Sequence, residues 1–436
     1  MTFKMKAFIT NPGLFFIGRK IFALLDNASH LSSRLVCKSW SEFLDYEFFD
    51  WPNILLRISS QKSELLPNEW GELVQKISRD GSLKEVKLLV PLIANYHPEN
   101  TPLHQAAYAG DLDTVLFLLP HFQDQNLVDS EGNGLLHVAS LRGHLELVRY
   151  ISMCQSDKPN NKSELALHSA CIGGSLAIYK ILTSNLKEEE INPESEDGTT
   201  PLHNAARCGH KLIVKYICAK IKAHPVDKEG MTPLHLAAQH GHEKICEYLL
   251  KMDKKLAYIQ NTKGEYPVHL ATQNGHYEVM KLLLHSNNQK CEKFVNGKKE
   301  TLIHIAAKTG QDAMFRYLLP LFEDKNPGDE YRLTPLHLSS QAGHFEITEM
   351  LLDYLMDSSP KDIRNRTPLH YACMHGHLEI VKLFIPIYSV HYELNPPDEY
   401  GLTPIKYASM TGHFEVIHTI AKFLPEDQYE KILDLV

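Results

Sequence analysis

A tetrapeptide of the type Thr-Pro-Leu-His returns along this chain at intervals close to 33 residues, and that period constrains the fold more than any other feature. Its fourth residue is His104, His137, His168, His203, His235, His269, His304, His337 and His370, and Lys406 closes the series within Thr403-Pro404-Ile405-Lys406. Successive spacings are 33, 31, 35, 32, 34, 35, 33, 33 and 36 residues. A second series follows a glycine: His144, His210, His242, His276, His344, His377 and His413 each come directly after one, while Gly110, Gly174 and Gly310 hold the same slot without the imidazole. The two series hold 16 of the 25 histidines, so a histidine content this high reflects the repeat and not a separate chemistry.

Each piece of the repeat has a local reason. Thr232 before Pro233 puts a hydroxyl at an N-cap, where it accepts from an orphan backbone amide, and a proline at the first helical position, where no amide is needed. His235 then falls at the third helical position, within reach of the cap, as the partner residue of a capping box would. Ala237 and Ala238 are small enough to let a neighbouring helix approach, and Gly241 supplies the left-handed residue that ends the helix. Ile245, Tyr248 and Leu249 follow at helical spacing, so a second helix packs back on the first. One unit is helix, turn, helix, connector, and the chain is expected to be all-α.

The run Asp227-x-x-Gly230-x-Thr232-Pro233-Leu234-His235-Leu236-Ala237-Ala238-x-x-Gly241-His242 resembles the ankyrin repeat almost position for position. The resemblance implies an all-α ankyrin-repeat solenoid with ten units over 99–424. Gly81-Ser82-Leu83-Lys84-Glu85-Val86-Lys87-Leu88-Leu89 mimics a second helix 29 residues before Gly110, which makes residues 61–98 a degenerate capping repeat and 99–436 the solenoid with its C-terminal capping helix. Departures fall at Glu164 to His168, where the Thr-Pro pair is missing, at Tyr266-Pro267-Val268-His269, and in the connectors. The unit around His168, uncapped and followed by the acidic run Glu188, Glu189, Glu190, Glu194, Glu196 and Asp197, is the expected soft point of the array.

Residues 1–60 read as something else. All three tryptophans (Trp40, Trp51, Trp70) lie before residue 71. Ile17, Ile21, Leu24 and Leu25 form one helical stripe; Leu31, Leu35 and Val36 begin a second that Trp40, Phe43 and Leu44 continue, with a Ser-rich break between. Leu35-Val36-Cys37-Lys38-Ser39-Trp40, after Ile21-Phe22-Ala23-Leu24-Leu25-Asp26 and before Phe48-Phe49-Asp50-Trp51, resembles the F-box motif, although Gly13-Leu14-Phe15-Phe16 stands where that family opens with Leu-Pro-x-Glu. The resemblance implies docking on a Skp-type adaptor of a cullin ubiquitin ligase through Ile17, Ile21, Leu24, Leu35, Val36 and Trp40. The same residues serve equally as the core of a helical cap on the solenoid's open end.

Chemistry other than binding finds little support. With 45 Lys and Arg against 53 Asp and Glu the net charge is -8, and no four basic residues run together, which argues against gripping nucleic acid. No apolar stretch approaches the roughly 20 residues of a membrane span, and the one leader-like run, Ala7 to Gly18, is broken by Asn11-Pro12-Gly13. Eight cysteines without a C-x-x-C pair suit the cytosol or nucleus. Histidines spaced one repeat apart cannot converge on a metal, no Walker loop occurs, and Cys208 beside Gly209-His210 sits at an ordinary variable slot. No enzyme, metal or cofactor is expected.

The ankyrin resemblance implies that a client lies against the turn tips and inner-helix ends, which here present Tyr108, Arg142, Arg207, Lys228, Met231, Gln239, His240, Lys263, Lys308, Tyr331, Arg364, Arg366, Met374 and Tyr400. Two functions follow. The first is a substrate receptor of a Skp/cullin/F-box-type ubiquitin ligase, with an unidentified protein as client. The second is a non-enzymatic scaffold, serving its own cell or a host-directed effector, whose N-terminal helices only cap the array.

Overall fold

The computed structural model describes residues 102–121, 127–221, 224–286 and 291–424. The F-box-like module and the degenerate repeat lie outside them, as do residues 425–436. Among the described residues ten helix pairs follow one another, from Pro102–Ala109 with Leu112–Leu118 to Pro404–Met410 with Phe414–Ala421. Among the described residues no strand forms; two isolated antiparallel bridges, Val128 with Gly134 and Val295 with Thr301, are the only extended pairings. The expected all-α repeat is what the described residues build.

Contacts divide the chain into two units, residues 1–205 with 216–221, and residues 206–215 with 222–436. In the second, the inner helices Pro233–Gln239, Pro267–Gln273, Leu302–Thr309, Pro335–Ala342, Pro368–Met374 and Pro404–Met410 pack each on the next, and outer helices such as Glu243–Met252 and Tyr277–His285 do the same. In the first, Pro102–Ala109 packs on Leu135–Arg142 and that helix on Ala166–Gly173. The small pairs are fully buried where inner helices meet: Ala106 and Ala107, Ala237 and Ala238, Ala306 and Ala307 all show no exposed surface. Gly173 carries this furthest, since a Cβ there would lie 2.3 Å from the Leu141 carbonyl oxygen.

The imidazole of the tetrapeptide does more than the reading of one repeat suggests. In Thr232-Pro233-Leu234-His235 the Thr232 amide donates to Nδ1 of His235 at 3.1 Å, and His235 Nε2 bonds the Glu265 carbonyl of the next repeat at 3.1 Å. The same bridge joins His304 to Leu333 and His337 to Arg366, each at 3.1 Å, and in the other unit His137 to Glu164 at 2.9 Å and His168 to Thr199 at 3.2 Å. An Nδ1 that accepts an amide proton has none of its own, so the proton is on Nε2 and the ring is neutral. The threonine role needs correcting accordingly. Thr232 Oγ1 does accept from the His235 amide at 3.4 Å, but the hydroxyls of Thr301, Thr334 and Thr367 lie 2.8, 3.0 and 2.9 Å from their histidine Nδ1 and make no cap to a backbone amide.

The Gly-His pair latches in the opposite direction. His242 Nε2 donates back to the Arg207 carbonyl at 2.8 Å, His276 to Gln239 at 2.9 Å and His377 to Gln341 at 2.9 Å. These carbonyls are ones a helix end leaves without an internal partner. The glycine therefore has two reasons to be glycine. Gly241 has φ +75°, and a Cβ on it would lie 2.5 Å from Nδ1 of His276.

Candidate functional site

Most turn tips open on an Asp or Asn whose side chain folds the loop, and Ser195 holds that slot in another. Asp227 Oδ1 accepts from the Glu229 and Met231 amides at 3.0 and 2.8 Å; Asn261 Oδ1 accepts from Lys263 and Glu265 at 3.0 and 2.9 Å. Neighbouring tips are then stapled by a backbone bond, Thr262 amide to Glu229 carbonyl at 2.8 Å and Gly297 to Lys263 at 2.9 Å. The tips are thus rigidly placed over the inner helices, and side chains that point away from these bonds are presented outward.

Between the Asp227–Met231 and Asn261–Glu265 tips lies a cleft of about 320 Å³ lined by Arg207, Asp227, Glu229, Met231, Leu236, Gln239, His240, Asn261, Lys263, Glu265 and Leu270. It gathers five of the residues expected to meet a client: Arg207, Met231, Gln239, His240 and Lys263. Met231, with Leu236 and Leu270, forms its nearly buried apolar floor. Burial, with the nearby His242, Arg207 and His276, pushes the His240 pKa below its ordinary value, so this ring is neutral at pH 7.

The family model for ankyrin repeats in sets of three matches segments that together run from residue 73 to residue 428. The chain belongs to the ankyrin-repeat family. Among its relatives, the probable E3 ubiquitin-protein ligase XBOS32 of Oryza sativa subsp. japonica is 29% identical over 177 residues, 32% of this chain and 36% of that protein. The E3 ubiquitin-protein ligase XBAT32 of Arabidopsis thaliana is 29% identical over 181 residues, 32% of this chain and 34% of that one. Alpha-latrotoxin-Lg1a of Latrodectus geometricus is 30% identical over 143 residues, 30% of this chain and 10% of the toxin. The chain thus matches about a third of the length of the plant proteins and a tenth of the toxin. An ankyrin array binds protein, and the partner implied here is a protein.

The remaining ankyrin positions do not converge on this cleft. Arg142 lies with its guanidinium 4.1 Å from the centre of the Tyr108 ring, a cation–π pair on two successive inner helices of the first unit. Lys228 is exposed beside the cleft, and Tyr331, Arg364 and Tyr400 are exposed at later tips. Met374 is half-buried. Two cations are engaged within the array: Lys308 with Glu300 at 3.4 Å, and Arg366 with Asp362 at 2.8 Å while also over the Tyr371 ring at 4.7 Å. The adaptor residues Ile17, Ile21, Leu24, Leu35, Val36 and Trp40 lie outside the described residues.

Single-repeat reasoning passed over Asp227, Glu229, Leu236, Asn261 and Leu270 as lining residues. The tip Asp and Asn had a visible signal, recurring as Asp129, Asn160, Asp329, Asp362 and Asp398 at the same place in the repeat. Among the described residues no group of three or more His, Cys, Asp or Glu is placed to hold a metal ion, and no helix is long and apolar enough to cross a membrane.

Proposed function

We propose that this ankyrin-repeat protein is the client-holding subunit of a Skp/cullin/F-box-type ubiquitin ligase, working in the cytosol or nucleus, with residues 1–60 docking the adaptor and the array holding the client. The observation that carries the reading is the motif Leu35-Val36-Cys37-Lys38-Ser39-Trp40 ahead of a protein-binding array. The similarity to plant E3 ubiquitin-protein ligases supports it from a second direction. In such a subunit the chain does no chemistry of its own; it fixes the distance between a bound client and the transferring machinery.

Full-length protein titrated against a purified Skp-type adaptor tests this. Micromolar or tighter binding is expected, abolished in Leu35→Asp with Val36→Asp while the helical circular dichroism and Tm of the array are kept. If the wild-type chain binds no adaptor, the scaffold reading takes its place.

A further inference from the structure

The cleft is charged in opposite senses at its two ends. The helix Pro233–Gln239 spans 7 residues, about 10 Å at 1.5 Å per residue, and its two ends mark the two ends of the cleft. At the C-terminal end stand Gln239, His240 and Arg207, which holds in its own helix the place Gln239 holds in the next, two residues before the glycine. Arg207 makes no ion pair among the described residues and is the one permanent cation at this end of the cleft. At the tip end stand three carboxylates, Asp227, Glu229 and Glu265, against the lining cation Lys263 and the exposed Lys228 beside the cleft. Between them the floor of Met231, Leu236 and Leu270 is only 7, 4 and 6% exposed, so it offers little area and the charges decide what binds.

We propose that the cleft holds its client by an extended segment bearing one acidic and one basic side chain three or four residues apart, the acid at Arg207 and the base at Glu229 and Glu265. An extended or polyproline-like chain advances about 3.1–3.3 Å per residue, so three or four residues reach roughly 9–13 Å, enough to span the about 10 Å between the ends. The inference rests on the array being the client-holding part and adds which client chemistry it accepts. A doubly basic segment meets Arg207 and a doubly acidic one meets the tip carboxylates, and like-charge juxtaposition excludes both.

Fluorescein-labelled dodecapeptides of Gly and Ser carrying a central Leu flanked by Glu and Lys, in both orders, are compared with Glu/Glu, Lys/Lys and Ser/Ser versions by anisotropy on the full chain. One mixed-charge peptide is expected to bind at least tenfold tighter than the like-charge and uncharged ones, with the preference shrinking as salt is raised. Arg207→Glu should move the preference to the Lys/Lys peptide, and Glu229→Lys toward Glu/Glu. Both side chains are exposed and make no side-chain bond among the described residues, and an unchanged Tm checks the fold. Equal binding of all peptides, no measurable binding, or an order of preference untouched by the charge reversals overturns the proposal. A chain that binds the adaptor but ignores peptide charge keeps the ligase reading and loses this one; a chain that sorts peptides but binds no adaptor does the reverse.

Discussion

The imidazoles of the repeat are structural because they are neutral. Burial is the main cause that pushes the His269, His304, His337 and His370 pKa values down to about 4, and it lowers those of His104 and His168 as well. Their folded values lie below the ordinary 6.5, so the unfolded chain binds protons first. Their stabilisation is fully present above pH 6.5 and is lost as pH falls toward 4. By linkage each of the four most shifted rings costs of order 1–2 kcal/mol at pH 5, because protonation places a second proton on an Nδ1 that faces an amide. Urea midpoints at pH 7, 6 and 5 should fall steeply together; a flat midpoint over that range contradicts the assignment. The glycines permit a controlled comparison. Gly376 and Gly412 have φ +73° and +75°, but only at Gly376 would a Cβ collide, 2.6 Å from His413 Nδ1, whereas nothing lies within 4 Å of the one on Gly412. Both alanine variants bear about 1 kcal/mol of left-handed strain, and Gly376→Ala should lose at least a further ~1 kcal/mol through the collision with the His413 ring. Equal losses in denaturation would show that the second role of the glycine is absent.

At the scale of one helix pair, start signals come from two places. The tetrapeptide was legible from its own residues, since a hydroxyl, a proline and an imidazole within four positions act locally. The connectors were not, because their caps act across nine or ten residues of irregular chain. Asn192 Oδ1 accepts from the Leu202 amide at 2.9 Å, Asn326 from Leu336 at 3.1 Å and Asn395 from Ile405 at 3.3 Å. Each of these asparagines precedes a proline, a signal that a search confined to the tetrapeptide passes over. Asp157 does the same for the unit without a Thr-Pro pair: both its oxygens lie within 3.2 Å of the Ala166 amide, the donor a proline would have removed. The missing cap expected around His168 is therefore replaced from the connector. Asn326→Ala should cost about 1 kcal/mol in equilibrium unfolding, the usual value of an N-cap; an unchanged midpoint would reduce these connector bonds to geometry without consequence. The cleft was legible by half for the same reason. Arg207, Gln239 and Lys263 sit at variable slots of the period, whereas Leu236 and Leu270 look like core until two neighbouring tips are placed above them.

At the scale of the molecule, the main packing of each pair within its unit is on its neighbours, so stability is close to a sum of local terms and the weakest pair opens first. The pair Ala166–Gly173 with Leu176–Leu182 remains the weakest by that sum, even with its cap restored. Its inner helix contains Gly173, which costs up to about 1 kcal/mol of helix propensity relative to alanine, and its start is held by a carboxylate nine residues away in place of a Thr-Pro pair. Against this, Tyr179 is fully buried with its hydroxyl bonded to the Ile191 carbonyl, and the exposed Asp197 carboxylate, against an opposing desolvation, is held at about 2 by donation from Ser195 and Thr199, so the following connector is anchored at both ends. The deficit is then of order 1 kcal/mol and not a break in the array, and amides from Ala166 to Leu182 should exchange about five- to tenfold faster than those from Leu234 to Leu250. Asp157→Ala should widen that ratio by a similar factor and leave Leu234 to Leu250 unchanged. If both segments accelerate together, the two respond as one cooperative block and stability is not distributed locally; if neither responds, the Asp157 bond contributes nothing and the unit around His168 is held by its latch to Thr199 alone.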